Sequence, residues 1–139
     1  MTAHSPAPAA STRFALMVLA SPTTAQAART AYEFARAAIA GGHSVQRVFF
    51  FHQGVDAGNS QWVPAPDTPS LTAQWAELAK DNNIDLVVCV TSAVRRGVLD
   101  AGEAKRHDRS ESLHAGFEIS GLGQWVEACL LADRVVSFG

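Results

Sequence analysis

The fold is decided by residues 84–98, which read IDLVVCVTSAVRRGV. Apart from Asp85, the run from Ile84 to Val90 is apolar and rich in valine, which is typical of a strand buried on both faces of a parallel sheet. Thr91 and Ser92 follow as good N-cap residues for a helix. The segment therefore predicts a strand, then a helix, with Cys89 where the strand ends.

Other strands and helices flank this segment on both sides. Further strands are predicted at Phe14–Ala20, Val45–Phe51 and Val135–Phe138. Helices are predicted at Ala25–Ala40 and Ser70–Lys80, and a third helix has Leu122, Trp125, Val126, Cys129 and Leu130 on its apolar face. Because strands alternate with helices, the fold class is α/β, a three-layer α/β/α sandwich with a mostly parallel sheet.

The chain of 139 residues suits one domain. We assign residues 13–139 to it and residues 1–12, rich in Ala, Pro and Ser, to a disordered tail. Residues 54–69, with three prolines and two glycines, predict a long loop that serves a site or an interface. Such an exposed loop, carrying Trp62, indicates that the protein is not a monomer.

The composition of the chain argues against nucleic-acid-binding and membrane-spanning proteins. The net charge of −2 and pI near 6.2 predict no direct nucleic-acid binding, and no apolar run is long enough for a membrane span. Two cysteines are too few for a disulfide framework, so we expect a cytoplasmic protein. Phe14–Ala20 followed by Ala25-Gln26-Ala27 imitates a signal peptide, but a first strand explains it better.

Cys89 is the candidate for chemistry. Reactive groups of parallel sheets gather at the carboxyl ends of strands, and a helix N-terminus with nearby Arg95 and Arg96 would favour thiolate over thiol. Adjacent arginines point about 100° apart on a helix, so at most one would face the cysteine. The alternative is a buried strand cysteine that packs as a small hydrophobe. Cys129 lies in an apolar helix stripe whose other members Trp125, Val126 and Leu130 are candidates for the core, and it is interpreted as a core cysteine.

Other site types find less support. The five histidines form no metal-binding pattern, so no metal is predicted, and only His52 falls near the active edge, as a weak candidate. A flavin-binding protein of flavodoxin type is a further alternative, although Ser21-Pro22-Thr23-Thr24 is a poor phosphate loop. No cofactor is predicted.

Residues 87–98 combine a strand-end cysteine, a run of small residues and Arg-Arg-Gly. This segment resembles the cysteine segment of the DsrE/TusD family of sulfur-relay proteins. Further matches are Gly42-His43, Val48-Phe49-Phe50 with Gly54-Val55, residues 117–123 (FEISGLG) and Asp133-Arg134-Val135-Val136. Thr91-Ser92 depart from the alanines common in relatives. The resemblance covers Phe14 to Phe138.

The resemblance implies a sulfurtransferase subunit that carries a persulfide on Cys89, and it gives a catalytic role to this residue alone. Thr91, Ser92, Arg95 and Arg96 are predicted as supporting residues from their positions in the helix that follows the strand. The TusD branch implies TusB- and TusC-like subunits, a TusA-type sulfur donor and a TusE-type acceptor, toward 2-thiouridine in tRNA. The DsrE branch implies DsrF- and DsrH-like subunits and a DsrC-type acceptor in sulfur oxidation. A non-catalytic scaffold subunit of the same fold remains the alternative from another class.

Overall fold

Strands and helices alternate along residues 10–139, the part of the chain that the computed structural model describes. The strands are β1 (Arg13–Val18), β2 (Ser44–Phe50), β3 (Asp85–Cys89), β4 (Glu118–Ser120) and β5 (Arg134–Phe138). The helices are α1 (Ala27–Ala40), α2 (Leu71–Asn82), α3 (Val90–Arg95), α4 (Ala101–Arg106) and α5 (Gly123–Leu131). A 3-10 helix, the His52–Gly58 turn, follows β2.

The five strands form one sheet in the order β4-β3-β2-β1-β5, and every pair is parallel. All carboxyl ends therefore lie at the same edge, where Val18, Phe50 and Cys89 end their strands. The predicted three-layer α/β fold is confirmed. Residues 1–9 of the predicted tail lie outside the described residues, whereas the Thr12 backbone N–H donates to His43 Nδ1 at 3.0 Å.

Helices α1 and α2 cover one face of the sheet with the main core. Small residues of α1, among them Ala31 and Ala35, are fully buried and let this helix lie close to the strands. Trp75 of α2 is also fully buried, with its ring 5.7 Å from that of Phe50. Val88 of β3 belongs to this same core.

The opposite face is covered by α5, which is only partly packed. Trp125 lies against Phe49, with 6.0 Å between ring centroids, and Ala128 is buried. However, 56% of Val126 and 81% of Leu130 remain exposed, so the prediction that these two side chains are packed is wrong. The helix rests on the sheet along one side only, and the rest of its apolar surface faces outward.

Arg47 of β2 fixes α5 to the sheet by polar contacts. Its guanidinium is buried, donates to the Gln124 carbonyl oxygen at 2.8 Å and lies 3.4 Å from Glu127. It also pairs with Asp85 of β3 at 3.1 Å. A charge removed from water in this way requires such partners, so α5 is held to the sheet by ion pairs as well as by the Trp125 contact.

Residues 54–69 differ in part from the predicted loop. The His52–Gly58 turn packs its residues 54–58 into the protein, because Gly54 lies so close to β1 that a Cβ there would stand 2.0 Å from the Val18 carbonyl oxygen. Trp62 remains partly exposed in the irregular segment beyond the turn. The turn is what shapes the sheet edge next to Cys89.

Candidate functional site

Cys89 is the last residue of β3 and the N-cap of α3, as its predicted position at a strand end requires. It pairs across the sheet with Ser120 of β4. The helix begins directly at Val90, so the prediction that Thr91 and Ser92 cap it is wrong; both lie in its first turn. The chain passes from strand to helix without a connecting loop, and this keeps Cys89 at the edge of the sheet.

The two cysteines have the opposite exposure from the one expected. Cys89 is 2% exposed, in a small cluster with Phe49 and Val87, whereas Cys129 is partly exposed on α5. Trp125 and Phe51 pack against the same cluster. The apolar spacing around Cys129 reflects an outward-facing helix surface, and the Cys89 thiol is covered by aromatic side chains.

A cleft of about 530 Å³ opens beside α3, and we name it the basic cleft. It is lined by Phe51, His52, Gln53, Thr91, Ser92, Arg95 and Arg96. Every supporting residue predicted from the sequence lies on it. Cys89 is not on its surface, but Phe51 both lines the cleft and packs against the Cys89 cluster. Phe51 is thus the residue that the cleft and the surroundings of the Cys89 cluster share.

The two arginines have different roles in the basic cleft. Arg96 forms a bidentate ion pair with Asp56, with Nε and one terminal nitrogen each donating to a carboxylate oxygen at 2.9 Å. The hydrogen bond to Asp56 raises the pKa of Arg96 above its ordinary value. Arg95 is exposed and forms no ion pair within residues 10–139. Arg95 is the arginine of the cleft whose charge is available to a bound anion.

Two long-range contacts hold the His52–Gly58 turn against α3. One is the Asp56–Arg96 pair, and the other is the His52 backbone N–H, which donates to the Ser92 hydroxyl oxygen at 3.0 Å. His52 adopts a positive φ of 51°, which this hydrogen bond helps to maintain. Asp56 was missed from the sequence, because its partner is 40 residues away and no local pattern marks the pair.

A second cavity of about 580 Å³ lies apart from Cys89, between the β1–α1 connection and the segment that leads into α2. Its lining shares no residue with the basic cleft. Elsewhere in residues 10–139, no group of three or more His, Cys, Asp or Glu side chains is placed to hold a metal ion. None of the described helices has the length and apolarity that a membrane span requires.

The fold and the site define a class: parallel α/β domains that hold one cysteine at a strand end beside a cleft with basic side chains. The model of the DsrE/DsrF-like family matches residues 12–138, and the chain belongs to this family.

Relatives match along nearly their whole length. A DsrE protein of Allochromatium vinosum is 46% identical over 128 residues, covering 91% of this chain and 98% of its own. The sulfurtransferase TusD homolog of Pseudomonas aeruginosa is also 46% identical, with 91% and 97% covered. The crystal structure of the ychN protein from E. coli has a TM-score of 0.72 at 20% identity, covering 91% of this chain and 99% of that chain, and supports the fold alone.

Proposed function

We propose that this protein is a sulfurtransferase subunit of a sulfur relay and that Cys89 carries the sulfur as a persulfide. One observation carries the proposal: Cys89 ends β3 next to the basic cleft, in a chain whose relatives include proteins named as sulfurtransferases. Thiolates are the sulfur nucleophiles of proteins, and strand ends are where parallel sheets present such groups.

The transfer needs no redox cofactor. The Cys89 thiolate attacks the terminal sulfur of a donor persulfide; the donor S–S bond breaks, a new S–S bond forms at Cys89, and the donor leaves as a thiolate. The same exchange, with Cys89 as the donor, passes the sulfur to an acceptor thiol. The reactants and the products of this exchange have the same total charge and the same oxidation level. The protein therefore only has to bring the two sulfur atoms together.

Phe51 and the basic cleft support a route for this exchange. Because Cys89 is 2% exposed, a partner has to displace a neighbouring side chain to reach the thiol, and Phe51, which packs against the Cys89 cluster and lines the cleft, is the candidate on that side. The side chains of Arg95 and Thr91 on the cleft can bind the anionic persulfide or acidic groups of a donor. We therefore expect the partner to enter through the basic cleft.

The test is sulfur loading with site mapping. The protein is incubated with glutathione persulfide, digested, and the peptides are weighed before and after reduction. We expect one reducible extra sulfur on the Cys89 peptide, none in Cys89→Ser, and unchanged loading of Cys89 in Cys129→Ser. Because Cys129 is the more exposed thiol, a mass gain of the whole protein does not show which cysteine carries the sulfur, and the peptides have to be mapped. Sulfur mapped to Cys129 alone would favour the scaffold alternative.

For the pathway, we favour delivery to a TusE/DsrC-type acceptor toward 2-thiouridine in tRNA, with a TusA-type donor, in the cytoplasm. The alternative is the DsrE role in dissimilatory sulfur oxidation, which the resemblance equally implies. Deleting the gene should abolish 2-thiouridine in cellular tRNA. Normal 2-thiouridine together with impaired sulfur oxidation would assign the protein to the DsrE branch.

We further propose that the protein works as a hetero-oligomer with TusB- and TusC-like, or DsrF- and DsrH-like, subunits. The support is the α5 face, an outward apolar surface formed by Leu122, Val126, Leu130, Leu131 and Val135. Large exposed apolar patches are uncommon on monomeric proteins and mark sites of protein–protein interaction. Sedimentation of the co-expressed subunits should show a complex, and free monomers would contradict the assembly.

A further inference from the structure

We infer that the second cavity, between the β1–α1 connection and the start of α2, binds a small organic anion: a flat apolar group that carries one phosphate or carboxylate. This site is separate from Cys89 and independent of the proposed function. Its volume of about 580 Å³ is within the range of small-molecule sites, roughly 300–1,000 Å³.

The first observation is topological. The cavity lies outside the carboxyl ends of β1 and β2, at the edge where open parallel sheets bind ligands. One side is formed by Pro22 to Gln26, in the connection from β1 to α1, and the other by residues between β2 and the first turn of α2.

The second observation concerns charge. Arg29 is the one charged side chain among the cavity-lining residues. Its Nη1 donates to Gln74 of α2 at 2.8 Å and lies 3.8 Å from a carboxylate oxygen of Glu33, which is itself outside the lining. The 14-residue helix α1 starts beside it with no side-chain cap and no acidic residue in its first turn. Its first N–H groups and the arginine both favour an anion there, although Pro22 prevents the preceding segment from wrapping a phosphate as a glycine-rich loop does.

The third observation is a hydroxyl without a protein partner. Thr72 lines the cavity, and its hydroxyl makes no hydrogen bond within residues 10–139, although the residue as a whole is only 5% exposed. This hydroxyl offers a hydrogen bond to a ligand oxygen in the cavity. The neighbouring Ser70 is already engaged, since its hydroxyl accepts from the Ala73 N–H at 3.2 Å.

The apolar side chains that line the second cavity indicate what the uncharged part of the ligand is. The partly exposed Trp62 and the prolines Pro64 and Pro69 line one side, and no acidic residue lines the cavity within the described chain. An aromatic ring offers a stacking surface for a flat apolar group. The cavity thus combines an anion-binding end with an apolar end.

The experiment is a titration of the full chain with phenyl phosphate, followed by ¹H–¹⁵N NMR. We expect saturable shifts in residues 22–29 and 62–72, with a Kd of about 1 mM or lower. Arg29→Gln should raise the Kd about tenfold, and Thr72→Val should also raise it. Arg106→Gln, at an exposed arginine of α4 that lines neither cavity, is the matched control and should leave the Kd unchanged.

Further probes distinguish the chemistry. Phenol and inorganic phosphate should each bind more weakly than phenyl phosphate, because each offers one end of the ligand only. Phenylacetate in place of phenyl phosphate shows whether carboxylate or phosphate is preferred, and saturable binding of either supports the site. Shifts that never saturate, shifts centred on the basic cleft, or a Kd unaffected by both Arg29→Gln and Thr72→Val would overturn the inference.

Discussion

Removing the carboxylate of Asp56 should loosen the His52–Gly58 turn without unfolding the sheet. Asp56 is 7% exposed and accepts two charge-assisted hydrogen bonds, both 2.9 Å long, from Arg96. Asp56→Asn keeps the shape of the side chain but removes its charge and one acceptor. Because 40% of the Arg96 side chain reaches solvent, its guanidinium can rehydrate after the change. This reduces the loss below that of a fully buried pair.

The expected cost follows from those contacts. Hydrogen bonds to charged groups contribute about 1.5–3 kcal/mol when buried, and solvent screening at Arg96 lowers this to about 1–2 kcal/mol of unfolding free energy. For a domain of this size, the Tm should fall by roughly 3–8 °C. The turn shapes the basic cleft, so Asp56→Asn should also slow sulfur loading of Cys89.

A double-mutant cycle in urea unfolding measures the pair itself. Asp56→Asn, Arg96→Gln and the double variant should show a coupling of about 1 kcal/mol, because the second change costs little once the first is made. Arg95→Gln, one residue away and without an ion pair in the described chain, should change stability by less than about 0.5 kcal/mol. Additive losses in the cycle would refute the reasoning, since they would mean that the two side chains do not stabilise each other.

Three further predictions concern other parts of the molecule. Leu130→Asp on the α5 face should leave monomer stability nearly unchanged but prevent assembly with the partner subunits; a complex of normal size in sedimentation would exclude this face as the interface. Phe51→Ala should speed alkylation of Cys89 by iodoacetamide, measured by peptide mapping, whereas an unchanged rate would place the access route elsewhere. The hydrogen bond from the Arg13 side chain lowers the pKa of Asp133. The ionised Asp133 carboxylate should therefore contribute its full share of stability at neutral pH, and this contribution should decline as the pH falls below about 4. Urea unfolding at several pH values measures the decline, and the Asp133→Asn variant should lack this part of it.

The buried strands were predicted well, because a short and continuous apolar run is typical of a strand that is covered by helices on both faces of a sheet. Predicted Phe14–Ala20 is observed as Arg13–Val18, since pairing with neighbouring strands decides where a strand ends. Strand β4 was not predicted: three residues are too short to show a period. Helix α4, six residues long, was missed for the same reason.

The environment of the site was predicted less well than its position. Spacing places Trp125 and Cys129 on one helix but cannot show which side of that helix the sheet covers. The burial of Cys89 depends on Phe49 and Phe51, which come from a different strand and its following turn. Arg47 and Asp56 are buried charges whose partners lie 38 to 80 residues away in sequence, so only the fold reveals them.

The position of β5 has a consequence for synthesis of the protein. The residues of β1 are synthesised first, yet one edge of this strand has no partner until residues 134–138 leave the ribosome and pair with it. Open strand edges are sites of mispairing between chains. The nascent protein therefore carries an unprotected Phe14–Val18 edge until residues 134–138 have been synthesised. Pairing with Arg134–Phe138 is the step that covers this edge and removes it as a site for pairing between chains.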